Sequence, residues 1–108
     1  MLVFVSHCYG GDKKNIEKAK KITHDLQTKD LANCYVCPLL IFSHLEYGEI
    51  GFDAEMELCL DVLSNAERLI VASEEVSKGV QMEIDFAKLV KMEVMRLYEN
   101  GELRPFTE

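Results

Sequence analysis

The chain of 108 residues is 48% hydrophobic and carries 19 acidic against 12 basic residues, a formal net charge of −7. That is about one domain's length, with enough apolar content for one core layered on a sheet, and the charge opposes non-specific binding to nucleic acid or anionic membranes. The start "MLVFVSH" has no basic region before its apolar run and no apolar stretch reaches the roughly 18 residues of a bilayer span, so a cytoplasmic single domain over 1–108 is expected.

"LVFVS" (Leu2 to Ser6) is a near-continuous apolar run, as in a strand covered on both faces. The turn "HCYGGDKK" follows, and Asp12 or Asn15 can cap a helix whose Ile16, Ala19, Ile22 or Thr23, and Leu26 share one face. "NCYVC" (Asn33 to Cys37) is a second strand, stopped by Pro38. Leu39 to Phe52 has no clean period and two glycines; it reads as a long connection, with room for a short irregular helix.

Asp53 can cap a helix through Asn65 that buries Met56, Cys59 or Leu60, and Leu63. "RLIVA" (Arg68 to Ala72) is a third strand and "EVMRLY" (Glu93 to Tyr98) a fourth; the polar tail "ENGELRPFTE" ends the fold or reaches a neighbour. Strands alternating with helices at this spacing predict a doubly wound, three-layer α/β sandwich with a mainly parallel sheet of four or five strands, flavodoxin- or Rossmann-like.

Between the last two strands, "SKGVQMEIDFAKLVK" (Ser77 to Lys91) reads as a helix capped by Ser77. At about 100° per residue, Val80, Ile84, Phe86, Ala87 and Val90 share an arc, and Glu83 falls inside it, one turn after Gly79. A carboxylate on a core-facing arc is rare without a partner.

In parallel sheets ligands sit at the carboxyl ends of the strands, where the strand order reverses. For the order 2-1-3-4 that crevice lies between the first and third strands. Its walls are then Cys8 to Asp12 and Ser73 to Ser77, with Gly79 and Glu83 on the helix beyond. A carboxylate there can trap or stabilise an oxocarbenium-like sugar carbon, and the helix N-terminus is expected to help keep it ionised. A second group must protonate the leaving base or orient the sugar. Glu57, Asp61, Glu74, Glu75 and Tyr9 are all placed to do so.

"VFVSHCYGGDKKNIEKAKK" and "CLDVLSNAERLIVASEEVSKGVQMEIDFAKLVKMEVM" resemble the nucleoside 2-deoxyribosyltransferase superfamily, most of all its small bacterial and phage branches. The matching positions are Tyr9, Gly10 and Asn15 after the first strand and Ser77, Gly79 and Glu83 on the helix. The resemblance implies that fold, Glu83 as the nucleophile that takes the deoxyribosyl group, and Tyr9, Gly10, Ser77 and Gly79 lining the substrate pocket. The transferases' upstream acid would fall near Cys59, which leaves the flanking Glu57 and Asp61 as assisting acids. The substrate implied is a small nucleoside or nucleotide, with no metal or other cofactor. The assembly implied is a homo-oligomer, a dimer or larger, whose sites borrow residues from a neighbour.

"VFVSH" and the helix glutamate after "LIVAS" are also similar to TIR domains, some of which cleave NAD at a glycosidic bond. A rival of another class is a non-catalytic nucleotide-binding module on the same fold. A third is an assembly protein in which the crevice is vestigial.

For Glu83 the plain alternative is pairing with Lys88 or Lys91, or escape to solvent at the sheet edge. Gly10 and Gly11 suit a tight turn, and no G-x-G-x-x-G or P-loop pattern is present. The C-x-x-C of "CYVC" lies in a strand, where positions three apart point to opposite faces; with Cys8 and Cys59 it reads as reduced, mostly buried thiols. A redox motif would open a helix, and none is expected at Pro38. His24 reads as solvated, His7 borders the crevice within reach of a substrate, and His44 with Tyr47 belongs to a loop able to act as a lid. "LLIF" (Leu39 to Phe42) either folds over the sheet edge as core or meets another subunit.

Overall fold

The computed structural model describes residues 1–107. Five strands, β1 (Leu2–Ser6), β2 (Cys34–Val36), β3 (Arg68–Val71), β4 (Glu93–Leu97) and β5 (Leu103–Pro105), form one sheet in the order β2-β1-β3-β4-β5. The first four are parallel and β5 is antiparallel to β4. Among the described residues four helices accompany them: α1 (Lys13–Lys29), α2 (Pro38–Ile41), α3 (Phe52–Leu63) and α4 (Lys78–Leu89).

Alternation along β1 divides the core in two. Phe4 packs with Leu69 and Val71 of β3, Leu63 of α3 and Val80, Ile84 and Ala87 of α4. Val5 faces the other way, onto Ala19 of α1 and Cys37, with Ile22, Leu26, Leu39 and Leu40 closing around them. Helices therefore cover both faces, and Val3 to Ser6 of β1 and Leu69 to Val71 of β3 are buried, as their apolar runs require.

Several boundaries differ from the sequence reading, each for a local reason. Pro38 does not merely stop β2; it occupies the first turn of α2, where its missing N–H costs nothing, so a helix does begin after Cys37. Gly51, at φ 88°, takes the N-cap of α3, so the helix starts at Phe52 and Asp53 lies inside its first turn. Helix α4 ends at Leu89 because Lys91 turns left-handed (φ 59°) and Met92 N–H reaches back to Ala87 O, 2.8 Å, a Schellman closure. Val90, expected on the buried arc, is half exposed in consequence. Leu39 and Leu40 pack as core, whereas Ile41 is exposed.

The tail supplies β5. Gly101, at φ 85°, returns the chain: its N–H donates to Tyr98 O at 2.9 Å and Tyr98 N–H to Glu102 O at 2.8 Å. This is a turn followed by a glycine bulge, for which Asn100-Gly101 is the sequence signal. At the opposite edge, Gln27 of α1 completes β2. Its side-chain oxygen accepts Tyr35 N–H at 2.9 Å and its amide donates to Asn33 O at 2.8 Å. Among the described residues no helix is long and apolar enough to cross a membrane.

Candidate functional site

Glu83 is buried because α4 has a strong reason to lie where it does. The Ser77 hydroxyl caps its start by accepting Val80 N–H at 3.3 Å, and Val80, Ile84 and Ala87 then seal against the sheet. Glu83 shares their side and is only 5% exposed. Its partner comes from β1, where Ser6 lies two residues after Phe4 and so faces the same helix. The Ser6 hydroxyl donates to Glu83 Oε1 at 2.7 Å, and both groups are buried. Neither Lys88 nor Lys91 is needed to account for the carboxyl group.

Burial pushes the Glu83 carboxyl up to about 7, and the Ser6 hydrogen bond offsets part of that rise. The expected help from the helix N-terminus does not prevail. Glu83 is the sixth residue of α4, beyond the first turn over which the helix field acts, and desolvation is the larger effect.

A cavity of about 260 Å³ opens beside Glu83 at the carboxyl end of the sheet. Tyr9 and Gly10 of the β1–α1 loop and Ser77, Gly79 and Glu83 all line it, so one concavity gathers five of the seven residues to which the resemblance assigns a site role. His7 is part of the same wall. The roof comes from the segment after β2: Leu39, Phe42, Leu45 and Tyr47, with Phe52, Glu55, Met56 and Cys59 of α3. The interior is thus largely apolar and aromatic with a few polar groups, the composition of small-molecule sites.

Glu57 and Asp61 are not at this cavity. Four residues apart on α3, they share the helix's outward side and are exposed. Met56 and Cys59 define the inward side, and the carboxylate carried to the cavity with them is Glu55. Glu74 and Glu75 are exposed, away from this wall. The spacing of Met56, Cys59 and Leu63 was the available signal that Glu57 faces out. Ser6, likewise not singled out, could have been found from its alternation with Phe4.

The glycines divide by role. A Cβ on Gly79 would lie 3.3 Å from Met56 Sδ, so the missing side chain lets α3 and α4 approach, besides leaving that cavity wall bare. Gly11 (φ 80°) supports Tyr47, whose ring a Cβ there would meet at 2.8 Å. Tyr47 in turn stands edge-on to Tyr9, ring centres 5.3 Å apart, and this contact ties the connection after α2 to the β1–α1 loop. Asn15 holds that loop by donating its side-chain amide to Tyr9 O at 2.9 Å. At the mouth, Lys78 lies over the Phe52 ring, 4.7 Å from its centre.

His24 is solvated beside Asp25, and His44 is exposed and outside the cavity. In "CYVC", Cys34 opens β2 and is exposed, whereas Cys37 caps α2 and is buried. Burial pushes Cys37 up to about 11 and Cys59 up to about 12, which leaves both thiols protonated and weakly nucleophilic. Among the described residues no three His, Cys, Asp or Glu side chains converge at metal-binding range.

Fold and site together define a class: α/β domains with a mostly parallel sheet and a carboxylate-bearing cavity at the carboxyl end of its strands. Within it, the chain belongs to the family described as a domain of unknown function, DUF7768, which matches residues 1–97. The match runs from β1 through β4, and β5 lies beyond it. No curated protein matches the sequence.

Proposed function

We propose that the protein cleaves or transfers at the N-glycosidic bond of a nucleoside or nucleotide, in the manner of the nucleoside 2-deoxyribosyltransferases and on their fold. The observation that carries this reading is the Ser6–Glu83 pair: a buried carboxylate, one oxygen held at 2.7 Å by a hydroxyl, on the wall of a largely apolar cavity. In its ionised form Glu83 attacks or stabilises the anomeric carbon. Tyr9, Gly10, Ser77 and Gly79 flank the sugar, and the aromatic roof receives the base.

Ile41, Tyr47, Ile50, Phe52 and Leu58, all on the roof segment or α3, leave apolar side chains at least partly in solvent. Under this reading a second copy covers that rim, giving a homo-oligomer. The test is incubation with deoxynucleosides and a free acceptor base, following base exchange and free base by chromatography. Turnover that disappears in Glu83→Ala supports the proposal; a wild-type protein that leaves every nucleoside and NAD intact overturns it.

The position of Glu57 and Asp61, both outside the cavity, favours a second reading: a nucleotide-binding module without catalysis. Ligand-induced thermal stabilisation with no turnover would support it. Cleavage of NAD in place of base exchange would support a TIR-like glycohydrolase.

A further inference from the structure

We infer that His7 is the proton donor to the departing base; the inference rests on the glycosidic reading above. Breaking a C–N bond to a base leaves an electron pair on the base that a proton at one of its ring nitrogens neutralises, and Glu83 is committed to the sugar carbon. The expected assisting acids Glu57 and Asp61 do not reach the cavity. Of the other titratable side chains that line it, Lys78 lies over Phe52 at the mouth, Tyr9 and Tyr47 pack against each other, and the Cys59 thiol is pushed up to about 12 by burial, too weak an acid for the task. Glu55 stands on the first turn of α3, only partly buried.

His7 differs from all of these. It directly follows Ser6 but lies just past the end of β1, where strand alternation no longer applies, and it lines the same cavity as Glu83. It is buried, 8% exposed, yet it contributes to the cavity wall. Its Nδ1 lies 2.8 Å from Cys8 O, and a carbonyl only accepts, so Nδ1 carries the hydrogen. That bond orients the ring and, with the hydrogen on Nδ1, leaves Nε2 as the nitrogen free of it.

The step balances. As the C1′–N bond breaks, its electron pair stays with the base, whose nitrogen takes the proton from Nε2. Glu83 meets the sugar carbon on the opposite face. Neutral Nε2 then accepts a proton from water, or from an incoming acceptor base, as that nucleophile displaces Glu83, and the imidazolium is restored.

The test compares an ordinary purine deoxynucleoside with its N7-methylated counterpart, whose base leaves without further protonation. His7→Asn keeps a side-chain amide able to donate to Cys8 O but cannot deliver the proton; His7→Gln is the second variant, and thermal melts of both establish folding. The expected result is a loss of about 10²-fold or more in kcat on the ordinary substrate, with the methylated one nearly unaffected. Equal loss on both, no loss on either, or the selective loss appearing in Glu55→Gln instead, overturns the role of His7 alone. A wild-type protein inert toward both nucleosides overturns the glycosidic reading and this inference with it.

Discussion

Ser6 and Glu83 are 77 positions apart in the chain and meet at 2.7 Å, hydroxyl to carboxylate, inside the contact between β1 and α4. The bond favours the ionised carboxyl against the burial that disfavours it. Ser6→Ala should therefore raise the Glu83 pKa further and cost about 1–3 kcal/mol where the group is charged. Urea denaturation at pH 8 and pH 5 checks this: the loss should be larger at pH 8.

Glu83 makes stability depend on pH with a definite sign. Its folded pKa, about 7, lies above the ordinary 4.5, so the folded state binds the proton more tightly. The resulting stabilisation is complete below about 4.5 and disappears as pH rises through about 7. The change is on the order of 3 kcal/mol. Glu83→Gln keeps an acceptor for Ser6 and should flatten the dependence between pH 4.5 and 7, while Glu83→Leu should exceed wild type in stability at pH 8. Denaturation midpoints across that range decide it; an unchanged slope in Glu83→Gln would refute the assignment. In His7→Asn, where the proposed acid is absent, residual activity should rise with pH through the same interval, because the nucleophile is the ionised form of Glu83.

Gly11 holds a left-handed turn beneath Tyr47. Gly11→Ala adds about 1–2 kcal/mol of backbone strain and a contact at 2.8 Å with the ring. The expected outcome is a loss of about 2 kcal/mol or more and release of Tyr47 from Tyr9. Limited proteolysis should then cut the connection between α2 and α3 faster than in wild type; an unchanged cleavage rate would show that Tyr47 does not anchor it.

Gln27 makes three side-chain hydrogen bonds to backbone, to Asp30 O, Asn33 O and Tyr35 N–H. Gln27→Leu keeps the stem and removes them, at a cost of about 1–3 kcal/mol. Amide hydrogen exchange should accelerate at Tyr35 and leave Ile70, in the centre of the sheet, at its wild-type rate relative to global unfolding.

The elements legible in sequence were those whose burial is complete on one or both sides. The unbroken run of Leu2 to Ser6 and the arc of Val80, Ile84 and Ala87 each have one packing solution, and Glu83 was noticeable because it violated the second. Where backbone conformation decides, hydropathy was silent: Gly51 rather than Asp53 opens α3, and left-handed Lys91 ends α4 before Val90 can be buried. β5 was concealed by polar side chains, although Asn100-Gly101 marked its turn. For the site, the chain indicated which strand ends converge. The inward face of α3 was legible in Met56, Cys59 and Leu63, but Glu57 and Asp61 were placed by the resemblance and not by that face, and the carboxylate that reaches the cavity is Glu55.

One consequence of the Gln27 clamp concerns how the molecule tolerates crowding. An outer strand with unpaired amides is a template on which another polypeptide can crystallise into fibrils. Here the amide of one glutamine fills that place on β2, while β5 is three residues long and ends in Pro105, which has no N–H to offer. Growth of the sheet from molecule to molecule is thereby blocked at both borders.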